Sequence, residues 1–190
     1  MNKRWEILPI DEKKQILLEK NLHISSSLAE ILTRKNLDEN SAKLFLNPTK
    51  IPYHDPFLLK DMEKACQRLL LALKNKEKIC IYGDYDVDGV SSTALLMTVF
   101  TKLGFNIDYY LPDRHSEGYG LHIESLQKLI PKYDLLITVD CGITALDEVD
   151  YAKDKIDMII TDHHLPREIL PDAFAIINPT QTQCIYPNKN

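Results

Sequence analysis

The chain has 190 residues, 44% hydrophobic and 27% charged, with a formal net charge of −5. This is the composition of one globular domain with room for a helical appendage, long enough to bury a core without disulfide or metal staples. A mild acidic balance weighs against a passive nucleic-acid coat, but not against an enzyme acting on nucleic acid.

No run of about 18 apolar residues offers a membrane span, so no membrane partner is expected. The opening Met1-Asn2-Lys3-Arg4-Trp5-Glu6 breaks into charge too soon for a signal peptide. Cys66, Cys80, Cys141 and Cys184 lie far apart without C-x-x-C pairing, so reduced thiols and a cytoplasmic location are expected.

Residues 1–55 are predicted as short helices over 11–20, 27–35 and 37–46, ended by Pro48, Pro52 and Pro56, which mark a linker. This region is a scaffold with a solvated basic face, or an accessory surface for a partner or a DNA strand. Residues 1–80 carry 15 Lys and Arg against 11 Asp and Glu, whereas 81–190 carry 8 against 17. An amphipathic helix is predicted over 58–74, with Met62, Ala65, Cys66, Leu69, Leu70 and Leu73 along one face. From residue 78 the pattern alternates. Strands are predicted over 78–83, 105–111, 135–139, 157–161 and 173–177, with helices over 91–103, 121–130 and 144–153. The expected class of the domain at 56–190 is α/β, a mainly parallel sheet with helices on both faces.

Open parallel sheets bind ligands beyond the carboxyl ends of their strands. Four predicted strands end in polar clusters there: Asp84-Tyr85-Asp86-Val87-Asp88-Gly89, Pro112 to Gly120, Asp140-Cys141-Gly142, and Asp162-His163-His164. Three aspartates at alternate positions repel one another unless a counter-charge is present. A divalent cation supplies it, and carboxylates with imidazole suit Mn²⁺ or Mg²⁺. The competing reading is an acidic capping turn, for which one aspartate suffices. An EF-hand is excluded because loop position 12 is Leu95. Gly89 is expected to turn the backbone into a helix whose amino terminus faces a phosphate.

Asp140 alone reads more often as a turn or cap residue than as a ligand, and gains weight from the apolar strand that aims it at the same rim. Adjacent histidines after a strand are costly unless liganded or bonded. His23 and His54 lack that context and are read as ordinary residues, and His122 is read as a helix-start residue. Arg114 offers a fork for a phosphate, and Tyr119 a face for a base; a salt-bridged loop is the alternative. Together these residues describe a hydrolase site, with cations acting on a phosphoryl group and His164 orienting it or protonating the leaving oxygen.

The motifs DYDVDG (84–89), DCG (140–142) and DHH (162–164), in this order, resemble the DHH phosphoesterase superfamily. The segments IYGDYDVDGVSSTALL, PDRHSEGYGL, ITVDCGI, TDHHLP and INPTQTQCIYP are similar to the RecJ family of single-stranded-DNA-specific exonucleases. The resemblance implies a 5′→3′ exonuclease of DNA repair and recombination with a two-metal Mn²⁺ or Mg²⁺ site. It places metal ligands at Asp86, Asp88, Asp140 and His163, with Asp84 as an additional acidic ligand. It makes Asp140 and His164 the catalytic positions, with His164 at the scissile phosphate. Arg114 would hold the 5′ end of a single strand. Partners of this kind of enzyme would be a single-strand-binding protein and a RecQ-type helicase.

The family carries a further metal-binding aspartate, a second domain and an oligonucleotide-binding domain beyond the DHH motif. The chain is therefore expected to be an amino-terminal fragment, weak in metal binding and nearly inactive alone. Two other readings compete. One is a DHH phosphodiesterase for short oligonucleotides or cyclic dinucleotides, disfavoured by the long basic amino-terminal section. The other is a non-catalytic RecJ-like scaffold, disfavoured by the retained acidic and histidine positions. A receiver-type binding module needs neither DHH nor the Arg114 loop.

Overall fold

The computed structural model describes Glu6 and residues 9–50 and 53–189. Pro52, and Met1 to Trp5, lie outside the described residues. The chain forms two compact units, Met1–Tyr53 and His54–Asn190.

The first unit contains α1 (Glu12–Leu22), α2 (Ser26–Arg34) and α3 (Glu39–Leu46). Each begins where a short polar side chain accepts a hydrogen bond from an otherwise unpaired backbone N–H: Asp11 from Lys14, Ser25 from Leu28, Asp38 from Ser41. The third helix starts at Glu39, later than expected, because Asp38 takes the capping position. Leu18, Ala29, Leu32 and Ala42 form its small core.

The second unit contains α4 (Met62–Asn75), β1 (Lys78–Tyr82), α5 (Val87–Lys102), β2 (Asn106–Tyr110), α6 (Ile123–Leu129), β3 (Leu135–Val139), α7 (Leu146–Ala152), β4 (Asp157–Thr161) and β5 (Ala175–Ile177). All strand pairs are parallel, in the order β2-β1-β3-β4-β5. β3 and β4 match the expected bounds because a strand buried on both faces is written as an unbroken apolar run. Alternate residues divide between two cores. Cys80, Tyr82, Leu136, Met158 and Ile160 pack with α6 and α7, while Ile79, Leu135, Ile137 and Ile159 pack with α4 and α5.

Two helices depart from expectation. α4 starts at Met62, not 58, because Pro56–Leu58 form a 3₁₀ turn and Asp61 sits in a left-handed conformation (φ 61°). The Asp61 carboxylate is engaged elsewhere, accepting from the Ile176 N–H on edge strand β5 at 3.0 Å. Gln181 Nε2 donates to the Ile176 carbonyl at 2.6 Å, so this edge is sealed by side chains. On α4 the buried stripe runs through Ala65, Arg68 and Ala72, leaving Leu70 exposed rather than on the packed face. Arg68 is paired with Glu77 at 2.7 Å and with Asp157 at 2.6 Å. α5 starts four residues before the expected position because Asp86 caps it.

All four cysteines are free. No helix among the described residues is long and apolar enough to cross a membrane.

Candidate metal centre

From β1 the chain moves to one side through β2 and to the other through β3. The switch in winding direction therefore lies between β1 and β3, where parallel sheets open a crevice beyond their carboxyl ends. β1 delivers Asp84 and Asp86 to that point, and β3 delivers Asp140. One strand further, β4 delivers Asp162, His163 and His164, with Val139 in register with Thr161.

Asp84 is fully buried, and neither carboxylate oxygen has a hydrogen-bond partner. Its backbone lies against α5 at Gly89. A Cβ on Gly89 would stand 2.6 Å from the Asp84 nitrogen and 2.7 Å from its carbonyl carbon. Gly89 thus serves a close approach inside the helix, not the turn into it that its sequence context suggests. Asp86 both caps α5, accepting from the Gly89 N–H at 3.0 Å, and faces the crevice. That bond holds its carboxyl below the usual carboxylate range. The capping reading and the ligand reading of this motif therefore apply to one residue at once.

Ligand atoms of Asp84, Asp86 and Asp140 lie within 4.8 Å of one another, as do those of Asp140, His163 and His164. Asp140, common to both groups, is a buried non-glycine residue at φ 60°. Such a backbone costs of order 1–3 kcal/mol and persists where its surroundings impose it. Here its N–H extends the ladder to the Thr161 carbonyl at 3.0 Å, and its carbonyl accepts from the Tyr119 hydroxyl at 3.4 Å. Burial, then the charge of Asp86, raises the Asp140 carboxyl, partly offset by His163 at 3.0 Å.

Asp162 faces inward. One oxygen accepts from the backbone N–H of His163 (2.7 Å) and of His164 (3.0 Å) and meets His164 Nδ1 at 2.7 Å. The other accepts from the Ile143 N–H at 3.0 Å. It orients the two histidines rather than joining the open cluster. Burial lowers the pKa of the His164 imidazole, but the bond and charge of Asp162, with Asp140 and Asp86 behind it, raise it further above its ordinary value.

Asp88 stands outside both groups of clustered ligand atoms found among the described residues. It sits in the first turn of α5, exposed, and lines a cavity of about 570 Å³ with Ser92, Asp140 and His163. Arg114 and Tyr119 lie at the rim on the loop after β2. The Arg114 guanidinium sits 5.4 Å from the centre of the Tyr85 ring. Tyr85 meets Tyr119 edge-on at 6.4 Å, and Tyr119 meets His164 at 6.0 Å. Tyr85 is a rim residue that the sequence analysis does not single out. The signal was an aromatic beside an arginine loop that supplies both a cation and a second ring.

A buried carboxylate with two unpartnered oxygens is expensive unless a cation meets it. The surrounding donors, carboxylate oxygens and imidazole nitrogens without thiolate, fit a hard or borderline divalent ion such as Mn²⁺ or Mg²⁺.

Residues 78–185 match the family model described as "DHH family, N-terminal domain". The single-stranded-DNA-specific exonuclease RecJ of Bacillus subtilis is 43% identical over 189 residues, covering 98% of this chain and 24% of that protein. A crystal structure of exonuclease RecJ bound to manganese superposes with a TM-score of 0.64 at 33% identity, over 71% of this chain and 35% of that one. RecJ of Thermus thermophilus in complex with Mn²⁺ gives a TM-score of 0.69 at 26% identity, over 98% of this chain and 26% of that one. The chain spans about a quarter of the length of the curated relatives it matches.

Proposed function

Because the chain belongs to the DHH family, we propose that it acts in the divalent-metal-dependent hydrolysis of phosphodiester bonds in single-stranded DNA, as an exonuclease. The observation that carries this reading is the fully buried Asp84, its oxygens unpartnered, with ligand atoms of Asp86 and Asp140 within 4.8 Å. Mn²⁺ or Mg²⁺ would be held by Asp84, Asp86, Asp140 and His163, with Asp88 facing the same crevice as a further ligand. When bound, such ions supply a nucleophile at neutral pH and stabilise charge developing on the phosphoryl group.

The chain's own residues perform the rest. His164, held through Nδ1 by Asp162, presents Nε2 to the rim, where a proton can be delivered to the leaving oxygen. Arg114 supplies a fork to a phosphate, and Tyr119 a face on which a base can stack. A cavity of about 730 Å³ beside His164, lined also by Tyr119, Leu121, Ile143 and Arg167, has room for a nucleotide.

In this reading Arg114 binds the 5′ end, cleavage runs 5′→3′, and the protein serves repair and recombination in the cytoplasm. A single-strand-binding protein and a RecQ-type helicase would be its partners. The test is nucleotide release by the full-length protein from single strands labelled at either end, with Mn²⁺ or with EDTA. Mononucleotides released first from the 5′ end, and only with metal, are expected. Release from the 3′ end, metal-independent cleavage, or preference for cyclic dinucleotides would refute the reading.

A further inference from the structure

We infer that Glu117 is a positioning residue that clasps the substrate-facing loop and sets where Arg114 and Tyr119 meet a DNA strand; the inference rests on the single-stranded-DNA reading above. The loop from Asp113 to Gly120 carries Arg114 near one end and Tyr119 near the other. Its turn closes on itself twice. The Glu117 N–H donates to the Asp113 carbonyl at 2.9 Å, and the Glu117 carboxylate accepts from the Asp113 N–H at 2.9 Å. Asp113 adds an inner layer, accepting from the His115 N–H, the Ser116 N–H and the Ser116 hydroxyl at 2.9–3.0 Å.

The same carboxylate anchors the turn to the fold. One oxygen accepts from the Tyr110 hydroxyl at 2.5 Å, where β2 ends, and from the Ser125 hydroxyl at 3.1 Å, inside α6. Lys128 of α6 stands 3.7 Å away. These anchors are themselves fixed, since Ser125 is fully buried and Tyr110 packs on the buried Tyr82 ring at 5.3 Å. The Tyr110 bond outweighs partial burial and holds the Glu117 carboxyl below its usual range, so it accepts as an anion. Charge-assisted bonds of this kind are the stronger class.

A solvated loop glutamate would have none of these partners. Glu117 has a donor from the loop, one from a strand and one from a helix, three residues after Arg114 and two before Tyr119. It touches neither the metal cluster nor the proposed path of DNA. Its effect on the reaction passes through the two residues it holds.

The experiment is steady-state kinetics of the full-length protein with Mn²⁺ on oligo-dT carrying a 5′-phosphate or a 5′-hydroxyl. Glu117→Gln keeps the shape and removes the charge; Tyr110→Phe keeps Glu117 and the ring packing and removes one anchor. For the phosphorylated strand, Glu117→Gln should raise KM roughly tenfold, the size of one lost hydrogen bond to a charged group. Tyr110→Phe should raise it in the same direction by a smaller factor. In both, kcat should stay within about twofold of wild type, as expected when uniform binding is lost. The KM advantage of a 5′-phosphate should shrink.

A merely structural role would lower the folded fraction, and hence apparent kcat, at unchanged KM; that result, or wild-type kinetics in both variants, overturns the inference. If wild type releases no nucleotide from single strands, the DNA reading fails and the inference falls with it. An active wild type with an indifferent Glu117→Gln removes the inference alone.

Discussion

Replacing Asp84 with Asn keeps the size of a fully buried side chain and removes its charge. In the metal-free protein that charge has no hydrogen-bond partner, and the ligand atoms of Asp86 and Asp140 lie within 4.8 Å with the same sign. An unpaired buried ion costs several kcal/mol, whereas a buried amide with unmade hydrogen bonds costs about 1–3 kcal/mol. Asp84→Asn should therefore stabilise the metal-free protein by about 1–3 kcal/mol. At roughly 3 °C per kcal/mol for a chain of this size, its Tm in EDTA should rise by about 3–9 °C. With metal the sign reverses. At a hundredfold excess over Kd, Mn²⁺ stabilises wild type by about 2.7 kcal/mol, roughly 8 °C on the same scale, and the variant should lose most of that gain. Melting curves followed by circular dichroism in EDTA and in Mn²⁺ give all four values. An Asn variant that melts below wild type in EDTA, or keeps the full Mn²⁺ shift, refutes the argument that Asp84 is an uncompensated charge awaiting a cation.

Gly89→Ala places a methyl group 2.6 Å from the Asp84 nitrogen, where only backbone could give way. It should cost about 1–3 kcal/mol in urea unfolding, with m unchanged; a wild-type midpoint would mean that α5 yields freely there. Asp162→Asn should lower the pKa of His164 in the metal-free protein, measured by NMR titration of the imidazole. Because the folded pKa is raised above the ordinary 6.5, His164 stabilises the fold fully below that value and loses its contribution as pH rises through the raised one. The variant should flatten this part of the stability profile, and an unmoved titration would show that Asp162 does not set it.

The α/β class, the parallel pairing and five strands were legible in the sequence because a doubly covered strand is a short apolar run between polar punctuation. The rim aspartates and histidines were legible because each follows such a run directly. Element starts were less legible where a polar side chain had two uses. In the sequence Asp86 is one of three clustered acids with capping as a competing use; in the fold it serves both, and as the cap it draws α5 back across Asp88 and Gly89. Asp61 left α4 to bond β5, more than a hundred residues away in sequence.

Local chemistry determined much of this protein: the helices of Met1–Tyr53 with their Asp and Ser caps, the strands, and the acids and histidines at the ends of the strands. It did so because capping, apolar periodicity and strand-end position act over a few neighbouring residues. Only the tertiary structure decided the order β2-β1-β3-β4-β5, which sets Asp84 and Asp86 beside Asp140 at the switch in winding. It also decided the inward turn of Asp162, the link from Arg114 through Tyr85 to Tyr119, and the clasp of Glu117. Each depends on partners supplied by elements distant in the chain. A carboxylate becomes a ligand, a histidine's support or a loop's anchor according to the donors the fold brings to it, and the net charge of −5 does not distinguish among these uses.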